Sequence, residues 1–544
     1  MKATNLIVFR ENSTTVSGRE LGQQLVEATT RARDRESVLN GLLVAGVAEC
    51  ALADCGSPEQ RIAQSPTDGF AELLVRGAAQ NGKHLASLAD RVANGLPETV
   101  RVSPPEGFAY YALHPLDFAE GACVDGPEGS FAVIGIRTIG TVLSAMTLAG
   151  LQKRGIAASR TTVRPEGHPY DRHAQFRPYQ LDWIRQHKRR GSRFLVVDEG
   201  PGLSGSSFLS VGEALTACSV AGDRITFLGT RDVEPAQLCS RDAASRWERF
   251  KFRRAHCSIG EKFNAVTSLG TGEWRRHLLS SQGEWPGSWT QMERLKFLDP
   301  DCRHVLKFDG LGYLGEQVRE RARAICEAGF GPGVESAGDG MSAYAFISGS
   351  PLSRSDCSRE VLDRLAQYCA FRFSVFRVDN ADGRHLGEMA RHNFEQEFGK
   401  QLALPSASLE TSIPVLADAR MQPYEWVRSR DGKILKVDAC SHGDDHFQPG
   451  PTDIAWDLAG AIVEWALDED SESYFVQKYW EHTGDDPRVR LPQFVLAYGI
   501  YRMAYVKMAL NATHEQAERS RLERSYRFYG SRVGAASRVF GACA

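Results

Sequence analysis

Over the first hundred residues, apolar positions recur at helical spacing. In SGRELGQQLVEATTRAR, Leu21, Leu25 and Val26 fall at such a spacing behind Ser17, a candidate N-cap, and Glu20 three residues on completes a capping-box pattern. From about residue 110 the texture changes. FAVIGIR (131–137), RFLVVDEG (193–200) and RITFLGT (224–230) are short, continuous apolar runs, and the first two lead through small residues into helical patterns. Buried strands alternating with helices predict a parallel sheet of α/β type, with the site in loops at the carboxyl ends of the strands.

Residues 270–294 are rich in Gly, Trp, Ser and charge and show little periodicity, which places a domain boundary there: 1–285 and 292–544. Beyond it, HVLKF reads as a strand, and EQVRERARAICEAGFGPG as a helix stopped by Gly and Pro. SAYAFISGSPL is a further strand entering a turn. WVRSRDGKILKVD predicts a hairpin around Asp431-Gly432, and most of the remainder reads as helix.

A chain of 544 residues with 42% hydrophobic and 24% charged content can bury a core in each half. The net charge of −3 gives no bulk attraction to nucleic acid or to an anionic membrane, so an anionic ligand needs local groups. No run of about eighteen apolar residues suggests a membrane span. The twelve cysteines are scattered without a CxxC pair, and His256-Cys257 and Cys440 near His442 fall short of a four-ligand metal set. The reading is a protein of a reducing cytoplasm. Its expected partners are small molecules, with no nucleic acid and no membrane, and a homo-oligomer is left open.

Two constellations carry chemistry. In FLVVDEGPGLSGSSF (194–208) a buried strand delivers Asp198 and Glu199, then a loop with Ser204, Gly205, Ser206 and Ser207, then a helix. A carboxylate pair accepts from vicinal hydroxyls, and such a loop turns amides and hydroxyls toward a phosphate. Upstream, VIGIRTIGTVLSA offers Arg137 and the amides of Thr138 to Thr141 for a diphosphate. Between them, TTVRPEGHPYDRH is dense in Arg, His and Asp, including His168 and Asp171. The ordered pair of loops resembles the type I phosphoribosyltransferases. The resemblance implies that Asp198 and Glu199 hold ribose hydroxyls, Ser204 to Ser207 the 5′-phosphate, and Arg137, Thr138 and Thr141 the diphosphate. The ligand implied is phosphoribosyl diphosphate or a ribose 5-phosphate derivative, with magnesium. The loop departs from the family pattern: it is one residue longer, and Ser204-Gly205 stands where Thr-Gly is expected.

The second constellation is ordered for phosphoryl transfer, which needs a cation on the phosphates, an acid at the acceptor and an acid on a metal. Lys307 lies on HVLKF, and Glu316 and Glu320 share a helix face that can pair it. SGSPL can serve as a hinge, and His442 and Asp444 lie close in sequence to Asp438. Asp418, Asp438 and DIAWDLA (453–459) then follow in order. This order resembles the aminoglycoside-phosphotransferase-like kinases, which share the bilobal α+β protein-kinase fold. The resemblance implies ATP and magnesium, Asp418 as catalytic acid, Asp438 as metal ligand, Lys307 and Glu320 at the nucleotide and Asp457 as anchor of the catalytic loop. Departures are Leu416-Ala417 in place of a His before Asp418, Pro423 in place of the metal-binding Asn with Gln422 beside it, Ala439-Cys440 after Asp438, and no glycine-rich loop.

The expectation is a bifunctional transferase of nucleotide or pentose-phosphate metabolism: phosphoribosyl chemistry at ribose C1, and ATP-dependent phosphorylation of a small-molecule hydroxyl. The alternative is a nucleotide-sensing regulator whose kinase-like half is inactive.

Overall fold

The computed structural model describes residues 6–8, 13–56, 60–77, 82–121, 129–256, 258–262, 266–279, 285–379, 384–404, 409–442, 445 and 447–537. The chain divides into two compact units: a first of Ser13–Asn264 with Gly310–Gly315, and a second of Met1–Asn12, Ala265–Asp309 and Glu316–Ala544.

The first unit opens with β1 (Thr14–Ser17) and the helices α1 (Gly18–Arg31), α2 (Arg35–Asp54), α3 (Gln60–Arg76) and α4 (Gly82–Gly95). Then come β2 (Thr99–Val102), α5 (Glu106–Ala109) and α6 (Leu116–Gly121). The caps are local. Ser17 Oγ accepts from Glu20 N at 3.3 Å, and Asp34 and Ser37 form a reciprocal capping box on α2. By length and composition α2 is apolar enough to cross a bilayer, where no such stretch was expected; 67% of its apolar window is buried within the fold.

The α/β core follows: β3 (Phe131–Ile136), α7 (Ile139–Lys153), β4 (Ala158–Val163), β5 (Glu166–His168), β6 (Asp171–His173) and α8 (Pro178–Arg189). It continues through β7 (Arg193–Val197), α9 (Ser206–Ala217), β8 (Ile225–Gly229), α10 (Ala243–Trp247), β9 (Lys251–Arg254) and α11 (Ser258–Lys262). The sheet is parallel throughout, in the order β4-β3-β7-β8-β9, as continuous apolar strands require. All six residues of β3 are buried. Phe208, Phe227, Trp247 and Phe250 pack into one cluster against the sheet, each contributing about 1.5–3 kcal/mol of burial. Because β3 and β7 are neighbours, the loops that follow them lie side by side. Their approach is tight: a Cβ on Gly140 would stand 2.4 Å from the Val197 carbonyl oxygen.

The second unit contains β10 (Thr267–Ser268), α12 (Trp274–Leu278), β11 (Lys296–Leu298), β12 (His304–Phe308), α13 (Tyr313–Glu327) from Glu316 on, β13 (Val334–Gly338) and β14 (Met341–Ala345). These strands form a five-stranded antiparallel sheet, β10-β11-β12-β14-β13. A second sheet joins β15 (Gly349–Pro351) to the hairpin β16 (Trp426–Ser429) and β17 (Ile434–Lys436), which turns at Asp431-Gly432 with Gly432 at φ +86°. The helices are α14 (Arg359–Val375), α15 (Arg384–Phe398), α16 (Ala455–Glu464), α17 (Glu469–Thr483), α18 (Leu491–Ala512) and α19 (Gln516–Ser537). Their core gathers Trp426, Trp456, Trp465, Tyr479 and Tyr498.

The boundary expected at 285–292 is corrected to near 265. The irregular stretch 270–294 belongs to the second unit, because side chains rather than periodic backbone bonds hold it. Arg275 donates to Glu518 at 3.0 and 2.7 Å with both nearly dry, and Glu293 accepts from Gly272 N, Trp274 Nε1 and Ser288 Oγ.

Candidate functional site

In the second unit a cavity of about 310 Å³ has Lys307 and Asp438 on its walls. Lys307 sits on β12 directly across from Lys296 on β11, a like-charge pair that would repel without a counter-ion. Asp438 supplies it. Lys307 Nζ donates to Asp438 Oδ1 and to Ser441 Oγ (2.6 Å), and Lys296 Nζ lies 3.8 Å from Asp438 Oδ2. Asp438 leaves β17 with φ +57°, a conformation Asp tolerates better than most residues. Burial pushes its carboxyl up, but Lys307, His442 and Lys296 outweigh burial and hold it well below the usual carboxylate range.

Asp457 opens α16 and anchors the loop that carries Asp418. Its two oxygens accept from the backbone N–H of Asp418 and of Ala419, both at 2.8 Å, which holds Ala419 at φ +63°. Burial and the neighbouring Asp418 charge lift Asp457 to about 6 against the pull of Arg372.

Asp418, the acid expected to serve the acceptor hydroxyl, is not open to one. It is fully buried: Tyr368 Oη donates to Oδ2 at 2.5 Å, and Lys436 Nζ lies 3.5 Å away. Its other oxygen, Oδ1, has no hydrogen-bond partner and faces His442 Nδ1 at 3.8 Å. Burial raises its pKa, but Lys436, His442 and Arg372 together bring it down to about 2.

The helical glutamates are the second correction. Glu316 accepts from Arg319 and Arg323, and Glu320 is exposed, so neither pairs Lys307. Gln422 is 2% exposed with both amide atoms lacking hydrogen-bond partners. Asp444 and Cys257 lie outside the described residues. Sequence reasoning missed Lys296, Arg420, Ser441, Tyr368 and Lys436. For Lys296 the KFL strand was a usable signal; for Tyr368, inside an ordinary helix, there was none.

In the first unit the two loops after β3 and β7 carry the other candidates. Thr138 has φ +106°, an outlier for a β-branched residue. Arg137 Nη1 donates to Asp54 Oδ1 at 2.9 Å, and Arg164 Nε and Nη2 lie 2.8 and 2.7 Å from the same carboxylate. Thr141 is fully buried with its hydroxyl 3.0 Å from Cys50 Sγ, so only its backbone can serve the loop. Ser204 and Ser206 donate to the Pro169 carbonyl at 2.8 and 2.6 Å, instead of standing open as a phosphate seat requires. Gly205 caps α9 at φ +73°, and Ser207 is half-buried. His168 and Asp171 are exposed on the β5–β6 hairpin. Asp198 and Glu199 are both half-buried, and Glu199 N donates to Asp198 Oδ1 at 2.9 Å. Burial lifts Asp198 to about 8, against its bond to the Glu199 amide.

No family model and no curated protein matches the chain. Solved structures similar to it include the choline kinase LicA from Streptococcus pneumoniae, at 12% identity and TM-score 0.32, covering 50% of this chain and 98% of that one. An aminoglycoside phosphotransferase from Alicyclobacillus acidocaldarius gives 12% identity and TM-score 0.32, covering 46% of this chain and 89% of the other. An ethanolamine kinase from Plasmodium vivax gives 12% and 0.30, covering 46% and 81%. These are likenesses of low score.

Proposed function

We propose that the second unit is a small-molecule kinase that binds ATP with magnesium and phosphorylates a hydroxyl group. The observation that carries the reading is the Lys307–Asp438 pair on the wall of a cavity of about 310 Å³, with Ser441 bonded to the lysine. Among the described residues no group of three or more His, Cys, Asp and Glu side chains could hold a metal by itself. Magnesium does not need one, since it commonly takes one or two protein oxygens and completes its shell with phosphates and water. The Asp438 carboxylate and the buried, unpartnered Gln422 amide oxygen are hard donors of the right chemistry. When bound, magnesium neutralises charge on the transferring phosphates. Lys307 and Lys296 line the same cavity and would supply two ammonium groups to those phosphates. Arg420, paired with Glu425 at 2.9 Å, lines the same cavity and orients whatever enters beside them. Asp418 would take the acceptor proton on Oδ1, which is unbonded but buried beside His442, so an acceptor reaches it only if that side opens.

That last condition favours a second reading, a nucleotide-sensing regulator: the acid meant for the acceptor is buried and paired. Calorimetry with magnesium-ATP, followed by ATP turnover over a panel of hydroxyl compounds, separates the two. Binding with turnover supports the kinase; binding without turnover on any acceptor supports the regulator; no binding removes both.

For the first unit we infer a ribose-phosphate site, with Asp198 and Glu199 on the ribose hydroxyls and the Arg137–Thr138 loop on the anionic groups. Its support is the adjacency of the two loops on a parallel sheet and the strained Thr138. Calorimetry with phosphoribosyl diphosphate and ribose 5-phosphate tests it, and absence of heat with both rejects it. Together the units read as a bifunctional transferase acting on small molecules in the cytoplasm, without nucleic acid or membrane.

A further inference from the structure

Lys307 has a second acid within reach. Asp309 lies two residues on at the end of β12, on the same side of the chain, and its side chain is fully shielded from solvent. Tyr344 Oη donates to its Oδ2 at 2.5 Å, while Oδ1 has no hydrogen-bond partner and stands 3.9 Å from Lys307 Nζ. A buried carboxylate oxygen left without a donor is costly, and the nearest ammonium is occupied elsewhere. An N–H···O bond closes at about 2.7–3.2 Å, so a shift of about 1 Å at the tip of a flexible lysine completes it.

The reason to shift comes from the reading of Asp438 as the metal ligand, on which this inference rests. Lys307 and a divalent cation cannot both occupy Asp438 Oδ1. Glu316 is engaged by two arginines and Glu320 is exposed, so among the described residues Asp309 is the buried acid left for Lys307. We propose that Asp309 is a positioning residue: as magnesium takes Asp438, Lys307 transfers to the unbonded oxygen of Asp309 and from that seat holds the phosphates of the nucleotide. Ser441, 2.6 Å from Nζ, keeps one contact in place while the other exchanges. The glutamate expected on the following helix is thus replaced by an aspartate on the lysine's own strand.

The test titrates ATP binding by calorimetry across magnesium concentrations in the full-length chain, comparing the parent, Asp309→Asn, Lys307→Met and the double variant. Without Asp309 the lysine stays on Asp438 and competes with the metal. Asp309→Asn is expected to raise the magnesium concentration at half-effect by about tenfold, a coupling usual for residues in contact. It should change metal-free ATP affinity by no more than about twofold and add nothing in the Lys307→Met background. A purely structural role would instead weaken binding equally with and without magnesium. An unshifted magnesium midpoint, or the same shift in the Lys307→Met background, overturns the proposal. If the parent binds no magnesium-ATP at all, the kinase reading itself falls and takes this inference with it. Should Asp309→Asn fail to fold, a crystal structure of the parent with magnesium and a non-hydrolysable ATP analogue decides. Lys307 Nζ within about 3.2 Å of Asp309 Oδ1 supports the transfer, and Lys307 still on Asp438 beside the metal rejects it.

Discussion

Asp438 in the second unit and Asp198 in the first look alike in sequence: each ends an apolar strand and opens a loop. Their surroundings separate them. Asp438 meets Lys307, Lys296 and His442 and stays ionised. Asp198 meets no cation at ion-pair distance among the described residues, and burial lifts it to about 8, so at neutral pH it carries a proton. The difference assigns chemistry. A carboxylate held ionised by cations is suited to trade one of them for a metal. A protonated carboxyl is suited to give and take hydrogen bonds with hydroxyls.

The comparison breaks most visibly through the anchor of the ionised cluster. Asp457→Ala removes the acceptor of two buried backbone N–H groups and leaves Arg372 short of a counter-ion. A loss of about 3–5 kcal/mol is expected, the range for breaking a buried pair, in urea unfolding followed by tryptophan fluorescence. Asp457→Asn, which keeps one acceptor oxygen, should fall between. A cost below about 1 kcal/mol for Asp457→Ala would mean that other contacts hold the loop.

Asp438→Asn tests the ionised acid directly. Magnesium-dependent ATP affinity should fall by about a hundredfold, the upper end of a charged contact, while metal-free ATP affinity holds or improves because Lys307 and Lys296 are released. Equal loss in both conditions would point to collapse of the cavity and not to a metal ligand.

These sites differ in how far the sequence disclosed them. The acids at strand ends, the Asp431-Gly432 hairpin and the helix of DIAWDLA are local patterns, and each lies where periodicity and turn chemistry put it. What escaped depends on distant partners. Asp418 reads as a loop acid because Tyr368, 50 positions away, covers it only in the folded chain. The stretch 270–294 reads as a linker because its order comes from an arginine and a glutamate 243 positions apart. Glu316 and Glu320 had the right spacing for Lys307, but Glu316 faces arginines of its own helix and Glu320 is exposed. Spacing fixes which side chains share a face, not which way that face turns.

Asp198 gives two smaller tests. Asp198→Asn with Glu199→Gln should preserve the fold, since each amide keeps the size and shape of the acid it replaces and both positions are only half-buried. It should weaken ribose 5-phosphate or phosphoribosyl diphosphate binding by at least about tenfold, the value of one charged or strong hydrogen bond to a hydroxyl. Unchanged affinity by calorimetry removes these acids from the site.

The smallest effect is in the pH dependence of stability. The folded pKa of Asp198, about 8, lies above its ordinary value of 3.8, so between these limits the native state binds a proton that the unfolded state does not. The resulting stabilisation is complete below about pH 4 and is lost as pH rises through about 8. Asp68, raised to about 6 by burial despite Arg160, adds a parallel loss at the lower end. The window from pH 6 to 8 therefore belongs mainly to Asp198, with a slope of at most about 1.4 kcal/mol per pH unit. Asp198→Asn is neutral at every pH and should flatten that slope in urea unfolding, with the parent and the variant most alike near pH 4 and the variant increasingly the more stable toward pH 8. A parent whose stability is constant or rises from pH 6 to 8, with Asp198→Asn running parallel to it, would place an ionised carboxylate there. The contrast with Asp438 would then vanish, and a second cation beside Asp198 would have to be sought.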